Sequence, residues 1–336
     1  MNGHTLPEVS VILPVFNGAK TIDRAVRSIL NQSLQTFELL VLDDGSTDDT
    51  ATIVQRIRDP RLRLIQRRHQ GIVATANLGT KLSQAPLIAR MDADDFSYPQ
   101  RLEKQLHFLR NQRLDAVGCR IRIVRDDGES SQTMARYARW INEETLETEQ
   151  ISALRFVEFP LVNPTIMARR TYFELGFSAD NVPEDYDLML RAAAGGMQFG
   201  KVDDLLFDWA DHPHRLTRTD ARYSLNAFMC CRRLHLLAGP LADVQQVDLW
   251  GTGQTGKPWM HWLRVNNIDV RRAYDINPRQ IGQQIHGRQI EHPTELATSD
   301  GTPIIIAVGA DHARQAILPQ LQAQGYIAGK NAWFVA

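Results

Sequence analysis

The sequence predicts an α/β protein: a mostly parallel sheet fills its N-terminal part, and a second, smaller α/β domain follows. Three observations carry this reading. Short apolar runs alternate with helical periods over the first 124 residues, a fresh β-α-β rhythm begins near Val244, and a 336-residue chain has room for two or three domains of ~100–200 residues. The runs 9–15, 37–42, 62–65, 86–91 and 116–124 read as strands. Between the first two, Ile22, Ala25, Val26, Ile29 and Leu30 recur at i, i+3, i+4, i+7 and i+8, the stripe of a helix lying on a sheet. Ser46, Thr47 and Asp48 are N-cap residue types, so a second helix is expected to start near them and to turn Ile53, Val54 and Ile57 inward. Pro99 suits a first helical turn ahead of Leu102, Leu106 and Leu109. The middle, 126–222, is irregular and rich in Arg and aromatic residues, with one clear helix over 184–194 closed by Gly195 and Gly196. Farther on, 247–250, 270–274 and 303–308 read as strands, with a helix within 313–324. A composition shift places a boundary within 238–245, which divides the chain into 1–238 (halves 1–125 and 126–238) and 244–336.

Composition narrows the class. At 43% hydrophobic and 23% charged residues the chain matches ordinary folded proteins, which excludes wholesale disorder and collagen-like or coiled-coil architecture. Thirty-eight basic residues against 39 acidic ones, with only Arg67-Arg68-His69 as a basic cluster, speak against a nucleic-acid partner. Cys119, Cys230 and Cys231 have neither zinc-ligand nor disulfide-framework spacing, so a reducing cytoplasm is expected. No basic leader precedes the first apolar run, which Pro14 interrupts, so neither a signal peptide nor a transmembrane segment is expected.

Three strand ends carry polar groups suited to chemistry. Asp92, Asp94 and Asp95 place three carboxylates in four residues; they repel one another, and a cation such as Mg²⁺ or Mn²⁺ is a reason to hold them together, the alternative being a solvated acidic loop. In Asp43-Asp44-Gly45-Ser46 a carboxylate can accept from the N–H of a base or a ribose hydroxyl while glycine lets the backbone turn closely, although Asp-Gly-Ser is also an ordinary turn and cap. Pro14-Val15-Phe16-Asn17-Gly18 ends the first run and reads equally as a plain strand-to-helix turn.

In order and spacing these segments resemble the family 2 glycosyltransferases. The matching runs are VSVILPVFNGAKTIDRAVRSIL, FELLVLDDGSTDDT and ARMDADDFSYPQRLEKQ, with Gly71 to Asn77 between the last two, and the resemblance covers about the first 220 residues. It implies a GT-A fold whose first half, 1–125, holds the nucleotide sugar and whose second half, 126–238, holds the acceptor. Asp44, with Asp43, would contact the base, Pro14, Val15 and Phe16 would wall the nucleotide pocket, and Asn77, Arg90, Asp92 and Asp94 would complete the donor site. Asp94 and Asp95, joined by His212, would bind Mn²⁺ or Mg²⁺.

Pro183-Glu184-Asp185-Tyr186-Asp187 opens the predicted helix at 184. Carboxylates there are stabilised by the helix dipole, and charge capping alone would account for them. The preceding Glu174-Leu175-Gly176-Phe177 resembles the family's lead-in to a Glu-Asp pair, which implies that Asp185 is the general base and Glu184 its orienting or acceptor-binding neighbour. A sugar hydroxyl is a poor nucleophile until a carboxylate takes its proton, and a nucleoside diphosphate leaves well only when a cation offsets its charge. Farther on, Trp209 to Thr217 offers His212 and His214 on what is either a loop closing over the donor or plain surface.

The last motif, Gly251-x-Gly253-x-x-Gly256, lies between a predicted strand and helix, with Asp275 behind a second strand, the context of a dinucleotide fingerprint. Pro258 stands where a P-loop needs Ser or Thr, so a Rossmann-like domain is preferred to an ATPase. It would take a dinucleotide or a nucleotide sugar through Gly251, Gly253, Gly256 and Asp275, or use its glycines for helix–strand packing alone.

The expected activity is therefore inverting, metal-dependent transfer from a nucleoside diphosphate sugar, UDP-sugars favoured, to the hydroxyl of a saccharide or lipid-linked acceptor. Its setting would be synthesis of a bacterial-type surface polysaccharide or glycoconjugate, in the cytoplasm or at the inner face of the membrane. The rival readings are a sugar nucleotidyltransferase, against which the lack of a Gly-rich basic loop at 14–20 speaks, and a non-catalytic nucleotide-sugar sensor.

Overall fold

The computed structural model describes residues 6–125, 132–285, 287–310 and 312–336. Met1 to Thr5, used in reading the N-terminus, and Asp126, the first residue of the middle region, lie outside these. The chain forms two compact units, Met1–Thr148 with Leu161–Cys231, and Glu149–Pro160 with Arg232–Ala336.

The first unit is built on an eight-stranded sheet. Its strands are β1 (Val9–Val15), β2 (Phe37–Asp43), β3 (Leu62–Gln66), β4 (Leu87–Arg90), β5 (Phe96–Ser97), β6 (Ala116–Val124), β7 (Met167–Arg169) and β8 (Phe199–Ala210), in the order β3-β2-β1-β4-β7-β6-β8-β5. The first four run parallel, and β7 is antiparallel to both β4 and β6. β1 and β2 are buried along their whole length, which is why they read as continuous apolar runs rather than alternating ones. Register fixes the functional edge. Val15 pairs with Asp43, and Ile12 with Arg90, so the loops after β1, β2 and β4 all leave from one edge of the sheet.

The helices obey the apolar spacing with one instructive shift. Ile22–Leu30 buries Ile22, Ala25, Val26 and Ile29, and Arg101–Asn111 buries Leu102, Leu106 and Leu109. The second helix, Thr50–Gln55, starts later than Ser46-Thr47-Asp48 predicts and buries Val54 but leaves Ile53 and Ile57 partly exposed. Those cap-type residues also bind the β1 loop: Asn17 N donates to Ser46 Oγ, Thr47 N to Asn17 Oδ1, and Ala19 N to Asp48 Oδ2. They stitch the β1 loop to the β2 loop, and Asp48 Oδ1 in addition accepts from Thr50 N at 3.0 Å at the start of the helix. Pro99 precedes the first turn of its helix, which begins after Gln100. β5 and β7, of two and three residues, are too short to show a period in the sequence.

The second unit carries β9 (Gln246–Trp250), β10 (Asp269–Tyr274), β11 (Gln284–Ile285), β12 (Arg288–Glu291), β13 (Ile304–Ile306) and β14 (Ala332–Phe334), in the order β11-β12-β10-β9-β13-β14. All neighbours are parallel except the β11–β12 pair. The five parallel strands thus follow the doubly wound order 3-2-1-4-5, with the switch point between β9 and β13. The segment Glu149–Pro160 packs here: Phe156 meets Trp333 edge-on at 5.8 Å, Arg155 stacks over Trp333 at 4.8 Å, and Arg232 donates to the Val157 carbonyl.

Candidate active site

At the C-terminal edge of β1 and β2 lie the residues the sequence offers for a base, with their polar groups unequally spent. The half-exposed Phe16 ring lies 4.3 Å from the His69 ring, centroid to centroid, so the two form one wall. Pro14 and Val15 are buried in β1 itself. Asp44, 3% exposed, accepts from Gly71 N at 2.8 Å and Gln70 N at 3.1 Å, meets His69 Nδ1 at 2.9 Å and lies 3.4 Å from Arg67 Nε. Its carboxylate organises the loop after β3. Asp43 accepts from Ser46 N. Gly45 has φ +80°, and a Cβ there would stand 2.7 Å from His69 N, so this turn needs glycine.

The loop after β4 holds the acidic triplet. Arg90, 1% exposed, reaches Asp92 at 3.4 Å, while its Nε and Nη1 have no hydrogen-bond partner among the described residues. Arg101, wholly buried, donates to the carbonyls of Arg90 and Pro164 and pins the end of β4. Burial lowers its pKa to about 10. Arg24 donates to the Asp94 carbonyl at 2.7 Å. Asp95, fully buried, accepts from Ala210 N at 2.8 Å, and its Oδ2 has no partner. Burial holds the Asp95 carboxyl well above the ordinary range, with Asp94 and Asp92 adding to it; burial raises Asp92 too, against the pull of Arg90. From the far side, His212 Nε2 comes within 2.9 Å of Asp94 Oδ2.

The third element is the helix Glu184–Ala194. Asp187 is taken by Arg191 at 2.8 Å, which also donates to the Leu175 and Gly176 carbonyls. Glu184, 4% exposed, accepts from Tyr223 Oη at 2.6 Å. Asp185 is pushed up to about 8, chiefly by burial, then by Glu184 and, more weakly, Asp92. Two carboxylate groups 93 positions apart in sequence, Asp92 and Asp185, therefore act on each other's charge. Asn77 contributes indirectly: its amide donates to the Phe177 carbonyl at 3.0 Å and accepts from Phe177 N at 2.9 Å, while the Phe177 ring lies 5.8 Å from the Arg90 guanidinium.

The divalent-cation ligands expected from sequence are brought together in part. Asp94 and His212 touch, but the ligand atoms of Asp94, Asp95 and His212 are not all within 4.8 Å of one another. The orphaned Asp95 Oδ2 and the repelling carboxylates fit a hard cation that takes one or two carboxylates and leaves other positions to phosphate and water. Four residues escaped the sequence reading: Arg24, Arg101, Arg222 and Tyr223. Arg101 follows Asp95 by six residues and Arg24, Arg222 and Tyr223 come from other segments, and nothing in their residue types singles them out.

The second unit's glycine loop is built differently. A Cβ on Gly256 would stand 1.8 Å from Gly251 O, and one on Gly251 would stand 2.6 Å from Ala307 O, whereas Gly253 has nothing within 4 Å. Asp275 accepts from Thr252 N and Oγ1 at 2.7 and 2.8 Å, and from Asn277 N at 2.9 Å.

A curled mixed sheet with carboxylates gathered at the C-terminal edge of its parallel half defines a GT-A-type α/β protein. The sequence model of Glycosyl transferase family 2 matches residues 10–177, and the chain belongs to this family of glycosyltransferases. It is 30% identical over 251 residues to the putative glycosyltransferase EpsE of Bacillus subtilis, covering 70% of this chain and 85% of that one. It is 39% identical over 100 residues to a chondroitin synthase of Escherichia coli, a match of 29% of this chain and 15% of that one. Among solved structures, S. aureus TarS 1-349 in complex with UDP-GlcNAc superposes with a TM-score of 0.56 at 20% identity, covering 69% of this chain and 67% of that one. The mannosyltransferase PcManGT of Pyrobaculum calidifontis, in complex with GDP-Man and Mn²⁺, gives 0.51 at 18% identity, covering 79% and 70%. At these identities the structural likeness speaks for the fold. No described helix is long and apolar enough to cross a membrane.

Proposed function

We propose that this glycosyltransferase inverts the anomeric centre of a nucleoside diphosphate sugar as it passes the sugar to an acceptor hydroxyl. The observation that carries the reading is one cluster in which Asp92, at the head of the acidic loop, and the Glu184–Asp185 pair act on each other's charge, with unpartnered buried atoms on Arg90, Asp95 and Glu184. Buried polar groups are ordinarily satisfied, so these await a ligand. Solved relatives of the same fold bind UDP-GlcNAc, or GDP-Man with Mn²⁺, which supports a nucleotide-sugar donor.

In this reading Phe16, Asp43, Asp44 and the loop that Asp44 orders receive the base, and Arg90 faces the donor. Asp94 and Asp95, with His212, would hold Mn²⁺ or Mg²⁺, which when bound offsets the charge of the departing diphosphate. Asp185 takes the proton of the acceptor hydroxyl. The freed oxygen forms the new bond to the anomeric carbon, the bond to the diphosphate oxygen breaks on the opposite face, and its electron pair leaves with the nucleoside diphosphate. The likeness of 100 residues to a chondroitin synthase supports a saccharide acceptor.

Thermal melting with UDP-, GDP- and dTDP-sugars, each with and without Mn²⁺, tests the reading, since a ligand that binds only the folded state raises the melting temperature. Metal-dependent stabilisation by one donor, together with its turnover and loss of that turnover in Asp185→Ala, is the expected result. Stabilisation with undiminished turnover in Asp185→Ala removes the base assignment, and binding without any turnover favours a sensor.

A further inference from the structure

We propose that Tyr223, backed by Arg222, is a positioning residue that makes Glu184 the charged member of the Glu184–Asp185 pair and so leaves the pair's proton on Asp185. The inference deepens the reading above and rests on Asp185 being the base.

The geometry sits on a short turn far from both carboxylates in sequence. Asp220 is the N-cap of the turn Ala221–Tyr223, accepting from Arg222 N at 2.9 Å and holding the Arg222 guanidinium at 2.7 Å. With Arg222 clamped, Tyr223 Oη donates to Glu184 Oε1 at 2.6 Å, while Arg222 Nη1 stands 3.8 Å from Glu184 Oε2, an atom with no hydrogen-bond partner. Among the described residues no side chain donates to Asp185; its Oδ1 accepts from the N–H of Tyr186. A phenol donates best to an ionised carboxylate, and a guanidinium favours the same form. Two adjacent carboxyls, one buried and one half-buried, do not both ionise readily, so whichever is supplied with donors keeps the charge and the other keeps the proton.

The groups facing Asp185 act consistently with this. Glu184 and Asp92 disfavour its ionisation, and the phenols of Tyr172 and Tyr223 feel its charge. Burial is the largest cause of its raised value, with Glu184 second. A base that titrates close to working pH is the more effective proton acceptor. The turn thereby sets the strength of the base without touching substrate.

The test is side-chain carboxyl ¹³C NMR on the full chain, with the Asp185 resonance identified by its absence in Asp185→Asn. The expected result is a titration that falls by about 1 pH unit or more in both Tyr223→Phe and Glu184→Gln. The double variant should show no further fall, because both changes act through one charge. Tyr223→Phe removes a single oxygen, and its melting temperature reports whether the fold survives. Should it misfold, Arg222→Gln, which keeps the phenol, is read in the same way with a smaller fall. An Asp185 titration unmoved in folded Tyr223→Phe, or moved additively in the double variant, overturns the proposal. The base reading fails separately, if Asp185→Asn retains donor turnover, a measurement independent of where the carboxyl titrates.

Discussion

The two units place loops at the C-terminal edge of parallel strands, yet the acidic loop after β4 and the glycine loop after β9 spend their polar groups differently. In the first, Arg90, Asp95 and Glu184 are each less than 5% exposed and each keeps a side-chain atom with no partner. In the second, Asp275 has both oxygens engaged by its own loop, and Gly251 and Gly256 are pressed against backbone. A glycine fingerprint can serve helix–strand packing as fully as phosphate binding, and only the satisfaction of the surrounding groups tells the two apart.

The sharpest way to break this contrast is Asp185→Asn, which keeps shape and removes proton acceptance. Turnover should fall by ~10²–10⁴-fold with donor affinity within a few-fold of wild type. Kinetics and donor melting shifts on the same preparation measure both. Next in size, Asp94→Ala and Asp95→Ala should each abolish Mn²⁺-dependent stabilisation by nucleotide sugars. They should differ in the free protein: Asp95→Ala orphans Ala210 N–H and costs ~1–3 kcal/mol in denaturant unfolding, whereas the more exposed Asp94 costs little.

Gly256→Ala probes the other unit. Its Cβ would collide with the Gly251 carbonyl, so unfolding of that unit should weaken by ~1–3 kcal/mol or more, while Gly253→Ala, with open space around it, should be near neutral. A neutral Gly256→Ala would mean that the loop is not held by packing. If the second unit does take a dinucleotide or a nucleotide sugar, titration of the full chain bearing Asp185→Asn with NAD(H) should give a signal that Gly253→Ala diminishes.

The smallest effect is on pH. Asp185 titrates at about 8 in the folded chain against an ordinary ~3.9 unfolded. The folded state binds its proton more tightly, so this group's stabilising contribution is complete below the unfolded value and is lost as pH rises through about 8. Catalysis by the unprotonated form should run the other way, rising through the same range. A wild-type minus Asp185→Asn comparison of unfolding at several pH values checks the first, and the pH–rate profile checks the second.

Much of this was determined by the sequence alone. Val9–Val15 and Ala116–Val124 lie where their apolar runs predict, and Glu184–Ala194 does too, because burial demands a local pattern that neighbours cannot supply. The acidic triplet was legible for a related reason: three adjacent like charges are costly without a purpose. The start of Thr50–Gln55 was legible only to within a few residues, since Ser46 answers a donor in the β1 loop, about 30 positions away, and Asp48 answers both that loop and Thr50 N. Nor were the partnership of Tyr223 with Glu184, the diversion of Asn77 to Phe177, or the recruitment of Glu149–Pro160 into the second unit. Each of these is a contact between segments whose residue types have many permissible partners. Local periodicity reports only whether a side chain is buried; which distant group satisfies it depends on chain closure in three dimensions, and that the tertiary structure decided.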